Sequence, residues 1–542
     1  MARSERDAVD ATRRSAFKAV VASALIAPGA GIAAPACVNA ATARPAWGVG
    51  PEGRRRADRG DGTFLNPIVA GDHADPTVLK DGGDYYMTCS SFASYPGVVI
   101  RHSRDLVNWS PICAALTTNV GSVWAMDLVK HDGRYFIYIP ANGKSSSSIF
   151  VIWADHIAGP WSEPIDLGLS GCIDPGHAVG EDGKRYLFVN GIRRVRLRDD
   201  GLAVDGAVEH AYNPWMYPKD WVVEMFAPEG PKVLRHGEWF YLVAAVGGTS
   251  GPPTSHMVIA ARSRSIHGPW EDCPHNPIVR TASADEPWWS RGHASLVEGP
   301  AGDWWMVYHG YENGFRTRGR QTLLEPIEWT ADGWFRARGG DLSTPLRMPA
   351  GGTPVAPFRL SDTFAGPRLG WQWSFHDPAA GEMARARFKD GALTLAGKGD
   401  SPANCSPLAV VAGDLAYEAT ITLDIGEHGE GGLLLFYSER MFAGVGFTRT
   451  RRLTFNYGEE HTWMRTDMAT STVMIRVRND RDVLTFSHSH DGRTWTQHPW
   501  QMEVSGMHHN VLGGFASLRP AIYSAGAGSV RVRDFVYRAL PS

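Results

Sequence analysis

Asp81-Gly82-Gly83-Asp84-Tyr85-Tyr86 sets the pattern for the first half of the chain. Related phrases follow at Asp132-Gly133-Arg134-Tyr135-Phe136, Asp182-Gly183-Lys184-Arg185-Tyr186, His236-Gly237-Glu238-Trp239-Phe240 and Ala301-Gly302-Asp303-Trp304-Trp305. Each joins a glycine turn to an aromatic run that reads as a strand. The glycines recur about every fifty to sixty-five residues, a period that holds a four-stranded antiparallel sheet with its loops. A second phrase, Leu106-Val107-Asn108-Trp109, Gly159-Pro160-Trp161 and Gly268-Pro269-Trp270, falls where an outer strand or its turn belongs in three of the units. Five such sheets set radially predict a five-bladed β-propeller. Helical solenoid repeats would lack the glycine-turn and aromatic-strand signature.

The 542 residues exceed what one hydrophobic core organises, so at least two domains are expected. Sixty Gly, 35 Pro, 20 Trp, 16 Tyr and 21 Phe, with 20% charged residues, describe a turn-rich, aromatic-rich chain and exclude disorder and coiled coil. With 54 Lys+Arg against 57 Asp+Glu the net charge is −3, which gives no broad electrostatic reason to bind nucleic acid or anionic lipid. Arg13-Arg14 stands ahead of an apolar run from Ala19 to Ala34, with Ala41-Thr42-Ala43 as a cleavage site. Residues 1–43 therefore read as a bacterial export signal that resembles the twin-arginine type, and the mature chain as secreted or periplasmic with no membrane partner. The run is shorter than the roughly twenty apolar residues that span a bilayer. Beyond that segment Cys89, Cys113, Cys172, Cys273 and Cys405 are odd in number and lack metal-ligand spacing, so at least one thiol stays unpaired within the chain.

A Pro/Gly-rich stretch from Pro345 to Pro357 separates the repeats from a second pattern of alternating strands, among them Tyr417-Glu418-Ala419-Thr420-Ile421-Thr422-Leu423. From Ser361 to Phe535 the chain resembles a concanavalin-type β-sandwich of jelly-roll kind. The fold class is thus all-β, with a propeller over 60–350 followed by a sandwich over 358–542. Three roles stand for the sandwich: closing one side of the pocket, binding carbohydrate by itself, or stabilising the enzyme. Packing against the propeller is the favoured arrangement.

Reading back six to nine residues from each repeat glycine gives Asp75, Asp127, Asp174, Glu229 and His293. If the strand before each turn is innermost, all five face the central channel near one mouth. Converging carboxylates suit either an oxygen-ligand metal site or acid/base hydrolysis. These acids come from separate blades rather than one dense loop, which favours hydrolysis. Glycoside cleavage uses one carboxyl to protonate the departing oxygen and another to activate water, and a third acid nearby keeps the proton donor protonated.

Asn66-Pro67, His73-Ala74-Asp75-Pro76-Thr77, Ser90-Ser91-Phe92 with Tyr95-Pro96-Gly97, and His102-Ser103-Arg104-Asp105-Leu106-Val107-Asn108-Trp109 resemble glycoside hydrolase family 43, most nearly its β-xylosidases. Ile173-Asp174-Pro175, Ala227-Pro228-Glu229-Gly230-Pro231-Lys232, Gly292-His293-Ala294-Ser295, Trp304-Trp305-Met306-Val307-Tyr308-His309 and Gly319-Arg320-Gln321-Thr322 extend the resemblance over roughly residues 64 to 340. It implies inversion, with Asp75 as general base, Glu229 as general acid and Asp174 as modulator of the acid. It further implies that Arg320 reaches the sugar, the alternative being a surface charge. His293 resembles an axial histidine near a channel cation or its waters, the alternative being a neutral histidine satisfied by the channel wall. Asp127 follows Met126 where the family usually has proline, and a role in shaping the pocket is favoured over chemistry.

Aromatic faces supply a resting surface for a pyranose. Phe92, Trp124, Trp221 and Phe226 lie close in sequence to the matched motifs, each with inter-blade packing as its alternative, and Trp288-Trp289 is placed at the rim. The expected substrate-contacting set is Phe92, Trp124, Asp127, Phe226, His293 and Arg320. No cofactor is expected for the chemistry and no metal-ligand residues are assigned. A structural calcium or other cation is allowed in the channel, or in the sandwich between Asp362 and Asp534. The leading reading is an exo-acting β-1,4-xylosidase that takes an oligosaccharide substrate. An α-L-arabinofuranosidase is the runner-up, because the two pentosides present similar hydroxyls. A carbohydrate-binding protein without turnover is the reading from a different class, and the presence of all three acids argues against it.

Overall fold

The computed structural model describes residues 46–143, 146–461 and 470–541. Residues 1–45, which include the expected export signal, lie outside the described residues. Among the described residues no helix is long and apolar enough to cross a membrane.

The repeat unfolds into five antiparallel sheets, as the glycine spacing predicts. From the inside outward, blade 1 takes Thr77–Asp81, Asp84–Thr88, Gly97–Ser103 and Ser110–Leu116. Blade 2 takes Asp127–His131, Arg134–Asn142, Ser147–Ala154 and Ile165–Asp166. Blade 3 takes Gly176–Val179, Arg185–Val189, Arg193–Arg196 and Glu209–His210. Blade 4 takes Glu229–His236, Trp239–Val246, Met257–Ser263 and Glu271–Asp272. Blade 5 takes Trp288–Glu298, Trp304–Glu312, Arg320–Trp329 and Phe335–Ala337. The first strands of successive blades touch in a closed ring, blade 5 against blade 1, so they surround the axis.

Each repeat glycine turns the innermost strand into the next one. Gly82, Gly133, Gly183, Gly237 and Gly302 all have φ between 60° and 86°, the left-handed region that favours glycine. In four of the five blades the aromatic run after the turn is buried on both faces, while in blade 1 Tyr86 stays half-buried. In Trp239–Val246, for example, every residue after Trp239 is buried, because the blades on either side pack against it. Five apolar clusters fill the five junctions between neighbouring blades. The three recurring tryptophans, Trp109, Trp161 and Trp270, each lie just ahead of the outermost strand of blades 1, 2 and 4. The ring is latched where Thr63–Phe64 pairs with Leu346–Arg347, and where Asn66 exchanges two hydrogen bonds with the backbone of Leu324, 2.9 and 2.8 Å.

The second half is a sandwich of two eight-stranded sheets with one core between them. Leu433, Leu435, Val445 and Ile522 face inward from one sheet, and Ile421, Leu423, Val477 and Val532 from the other. The period-2 alternation read in Tyr417–Leu423 is real: Ala419, Ile421 and Leu423 are buried while Glu418 and Thr420 are not. One sheet ends in an edge strand that the alternation did not announce, Ser94–Tyr95, which belongs to the propeller and pairs with Ser374–His376. Propeller and sandwich form one compact unit. Arg318, wholly buried, seals the contact with an ion pair to Asp482 at 3.1 Å and a bond to the carbonyl of Leu415 at 3.0 Å. All five cysteines among the described residues are free and buried.

Candidate active site

Three of the five channel residues are held in backbone conformations that L side chains rarely adopt. Asp75, Asp174 and His293 have φ of 57°, 56° and 62°. Such a conformation costs a non-glycine residue about 1–3 kcal/mol and persists only where the surroundings enforce it. In blades 4 and 5 the innermost strand is also bulged, between Glu229 and Lys232 and on both sides of Gly292, which re-aims Glu229 and His293.

Asp75 is the most tightly held acid. Its Oδ1 receives Nη1 of Arg320 at 2.8 Å and lies 3.0 Å from Nδ1 of His309, and its Oδ2 receives the hydroxyl of Ser90 at 2.6 Å. Burial by itself would push this carboxyl up. The Arg320 guanidinium outweighs it and holds Asp75 well below the usual carboxylate range.

Asp174 and Glu229 go the other way. Burial first, and then the charge of Asp75, push Asp174 up to about 7 against the opposing pull of Lys232 and Arg320. Burial, with the charges of Asp174 and Asp75 behind it, raises Glu229 well above its ordinary value. The Glu229 side chain is still 22% exposed, so its proton reaches the cleft. The blade register thus delivers acids from blades 1, 3 and 4 to one cleft, with one carboxyl ionised and another protonated at the same pH. That pairing can withdraw a proton from water and give one to a leaving oxygen.

Behind the acids stand Lys232, His256 and His309, to which the sequence reading gave no role, together with Asp127 and His293. Lys232 donates to the carbonyls of Met126 and Pro175, 2.9 and 3.0 Å, and to Oδ1 of Asp127 at 2.6 Å, bracing blades 2, 3 and 4 together. Both oxygens of Asp127 are taken, by Lys232 and Thr77 on one and by the His177 amide at 2.7 Å on the other. Asp127 therefore acts on the pocket by holding Lys232, in place of the sugar contact expected for it. Three imidazoles complete the floor. His309 stacks between His256 and His293, with ring centroids at 5.3 and 5.9 Å. Burial holds all three below the ordinary histidine value, His293 down to about 3, so they stand neutral. Two motif glycines make room for them. A Cβ at Gly292 would meet the ring of His256 at 2.0 Å, and one at Gly230 the ring of His293 at 2.9 Å. Glu229-Gly230 and Gly292-His293 are thus two halves of one packing arrangement, a signal that was present in the sequence.

Ligand atoms of Glu229, His256 and His293 all lie within 4.8 Å of one another, and both ring nitrogens of His256 are buried without a hydrogen-bond partner. Two imidazoles and one carboxylate suit a nitrogen-seeking metal, not the oxygen cage that calcium requires. As a donor set this trio does not make the oxygen cage of calcium, one of the cations that the sequence allowed in the channel. In the sandwich Asp362 already accepts from Phe364 and Trp373, at 2.7 and 3.0 Å, and Asp534 from Thr422 at 3.0 Å.

The open side is aromatic and comes from both domains. Phe515, in the loop after the short helix His509–Leu512 of the sandwich, stacks on Phe92 at 6.4 Å and meets Trp124 edge-on at 6.0 Å. The Arg320 guanidinium lies over the rings of Phe92 and Phe515, 5.8 and 5.0 Å from their centroids. His509 stacks beneath Phe515 at 3.6 Å and receives its backbone N–H, fixing the loop. Asn510 reaches across to the carbonyls of Ser250 and Gly251 in blade 4. Phe226 does not join this group. It packs against the core between blades 3 and 4, edge-on to Tyr217, and Trp221 lies there too with Arg280 over its ring.

Acid and base carboxyls at a propeller axis are the apparatus of glycoside hydrolysis, and the comparisons lead to the same class of enzyme. The profile described as Glycosyl hydrolases family 43 matches residues 64–335, and the one described as Beta xylosidase C-terminal Concanavalin A-like domain matches residues 361–537. The chain belongs to glycoside hydrolase family 43. It is 30% identical over 403 residues to the non-reducing end alpha-L-arabinofuranosidase BoGH43B of Bacteroides ovatus, covering 69% of this chain and 73% of that one. It is 30% identical over 385 residues to a xylan 1,3-beta-xylosidase of a Vibrio species, covering 62% and 69%. Among solved structures, the GH43 protein BlXynB of Bacillus licheniformis superposes with a TM-score of 0.79 at 25% identity, over 88% of this chain and all of that one.

Proposed function

We propose that this family 43 hydrolase is an exported, inverting, exo-acting enzyme that releases terminal xylose from β-1,4-xylooligosaccharides. Asp75 is the base that activates water, Glu229 the acid that protonates the departing oxygen, and Asp174 the neighbour whose charge keeps Glu229 protonated. The observation that carries the assignment is the opposite displacement of Asp75 and Glu229 within one cleft. Arg320 first holds Asp75 ionised, and its face between Phe92 and Phe515 borders the place where the terminal sugar rests. Closure by Phe515 favours attack at a chain end over attack within a chain. Export rests on the Arg13-Arg14 segment and its apolar run.

A second reading, α-L-arabinofuranosidase, is favoured by the Bacteroides ovatus relative that carries that name. Rates of nitrophenol release from nitrophenyl β-xyloside and nitrophenyl α-arabinofuranoside on one preparation decide between them. A faster β-xyloside is the expected result, and a clear preference for the arabinofuranoside reverses the order. Product NMR in the first minutes of nitrophenyl β-xyloside cleavage should show α-xylose, and initial β-xylose would contradict inversion.

A further inference from the structure

Glu224 stands on the stretch of chain that leads into Glu229, and the three hydrolytic roles leave it without a task. Its main chain is fixed first. The Glu224 amide donates to Oγ of Ser255 at 2.9 Å, and the Val222 carbonyl accepts from Oγ1 of Thr254 at 2.8 Å. Its half-buried side chain then serves the tip of the loop that links Trp239–Val246 to Met257–Ser263. Oε2 receives the backbone N–H of Ser250 and Oε1 receives the Ser250 hydroxyl, both at 2.9 Å. Two glycines of the run Gly247-Gly248-Thr249-Ser250-Gly251 make room for it. Gly248 has φ of 67°, and a Cβ there would meet Oε2 of Glu224 at 2.5 Å, while one on Gly251 would meet the Glu224 Cβ at 2.4 Å. A carboxylate that accepts two bonds from one residue, in a space cleared for it, is a clamp on that residue.

The clamped tip is where the sandwich lands. The Ser250 carbonyl receives Nδ2 of Asn510, and the Gly251 carbonyl receives the same Nδ2 at 3.3 Å and Nη2 of Arg316 at 3.2 Å. Asn510 lies in the helix His509–Leu512, where its neighbour His509 holds Phe515 by a ring stack at 3.6 Å and by accepting the Phe515 amide at 2.9 Å. A continuous run of contacts thus leads from Glu224 through Ser250, Asn510 and His509 to the ring that roofs the pocket. Other bonds hold the base of the loop. Gly247 donates to the carbonyl of Phe226 at 2.9 Å, and the hydroxyl of the buried Thr249 lies 3.4 Å from Nε2 of His309. Loss of the Glu224 carboxylate would therefore release the tip and spare the floor under Asp75.

We propose that Glu224 is a positioning residue for the active site: through Ser250 and Asn510 it sets where Phe515 lies over the terminal sugar. Roof and proton donor then take their places from one stretch of chain, 224–229, and stay in register. This rests on the reading of Phe515 as the closure of the pocket.

Steady-state kinetics on the whole protein test this, with whichever of nitrophenyl β-xyloside and nitrophenyl α-arabinofuranoside the parent cleaves faster. Glu224→Ala should raise KM about tenfold and change kcat by less than about threefold, the scale of a lost charge-assisted bond that acts on substrate binding. Glu224→Gln keeps an acceptor oxygen for Ser250 and should recover most of that loss. In a double-mutant cycle with Phe515→Ala, the second substitution should add less than about twofold in KM, since both remove the same closure. Full additivity would overturn the proposal, as would an unmoved KM in Glu224→Ala, or equal falls in kcat and kcat/KM without recovery in Glu224→Gln. If Glu224→Ala does not fold, Asn510→Ala takes its place in the cycle with the same expectation, and additivity there overturns the proposal equally. An unmoved KM in Phe515→Ala would remove the roof and this proposal with it, while the assignment of the three acids would stand.

Discussion

The guanidinium of Arg320 lies 5.0 Å from the ring centroid of Phe515, a residue of the other domain, while its Nη1 donates to Asp75 at 2.8 Å. One cation therefore ties the proposed base to the loop that roofs the pocket. Phe515→Ala should raise KM and lower kcat/KM by about tenfold, since cation–π and ring stacking contribute on the order of 1–2 kcal/mol at a desolvated site. Steady-state kinetics on xylobiose would show it, and unchanged constants would remove the sandwich from the pocket.

Asp75→Asn and Glu229→Gln should each lower kcat by about a hundredfold or more, the range that general acid/base groups supply. Both variants keep shape and volume, so circular dichroism should stay close to that of the parent; Glu229→Gln should also keep the melting temperature, whereas Asp75→Asn leaves Arg320 buried without its carboxylate and should lower it. Near-normal turnover in either would refute its role.

The descending limb of the pH profile reports the acid. Catalysis by a protonated Glu229 is lost as pH rises through its pKa, which burial, Asp174 and Asp75 hold high. Asp174→Asn removes one of those charges, so the limb of kcat/KM should move to lower pH by about one unit. A limb that stays put would mean that Asp174 acts by position alone.

Acid should loosen the sandwich. Burial first, and the charge of Arg452 second, push His488 down to about 4 and His498 down to about 3. An unfolded imidazole takes its proton near pH 6.5, so below that pH the unfolded chain binds more protons and stability falls until the folded pKa values are reached. Urea midpoints should drop between pH 7 and pH 4, and His498→Leu should flatten that slope. A midpoint independent of pH in this window would contradict it.

The Arg318–Asp482 pair is buried on both sides. Asp482→Ala strands the guanidinium and should cost about 3–5 kcal/mol in urea unfolding. A loss under 1 kcal/mol would show that Leu415 and solvent suffice for Arg318.

The sequence carried the blades and the three acids because both depend on short-range chemistry repeated at a fixed offset. A glycine turn, an aromatic strand and an acid upstream can be counted along the chain. What escaped depends on tertiary partners. Phe515 sits in a sandwich loop without a motif, and only the docking of that loop on Phe92 makes it part of the pocket. His256 falls in an ordinary strand and becomes a neighbour of Glu229 through the space left by Gly292. Asp127 shares the register of the other acids, yet Lys232 from blade 4 claims its carboxylate. Phe226 lies three residues before Glu229 and still packs, half-buried, against the apolar cluster between blades 3 and 4, since proximity along a chain does not fix the direction of a side chain.

The pairing of Ser94–Tyr95 with Ser374–His376 has a consequence for how this enzyme comes apart. The two halves are zipped by main-chain bonds across a tether that runs on the outside. A protease nick in that tether would leave the fragments holding each other, and the roof over the pocket would remain in place without a covalent hinge. Exchanging the rear half for one from another protein would require the new sheet to accept a foreign border strand in the same alignment, which ties the inheritance of each half to the other.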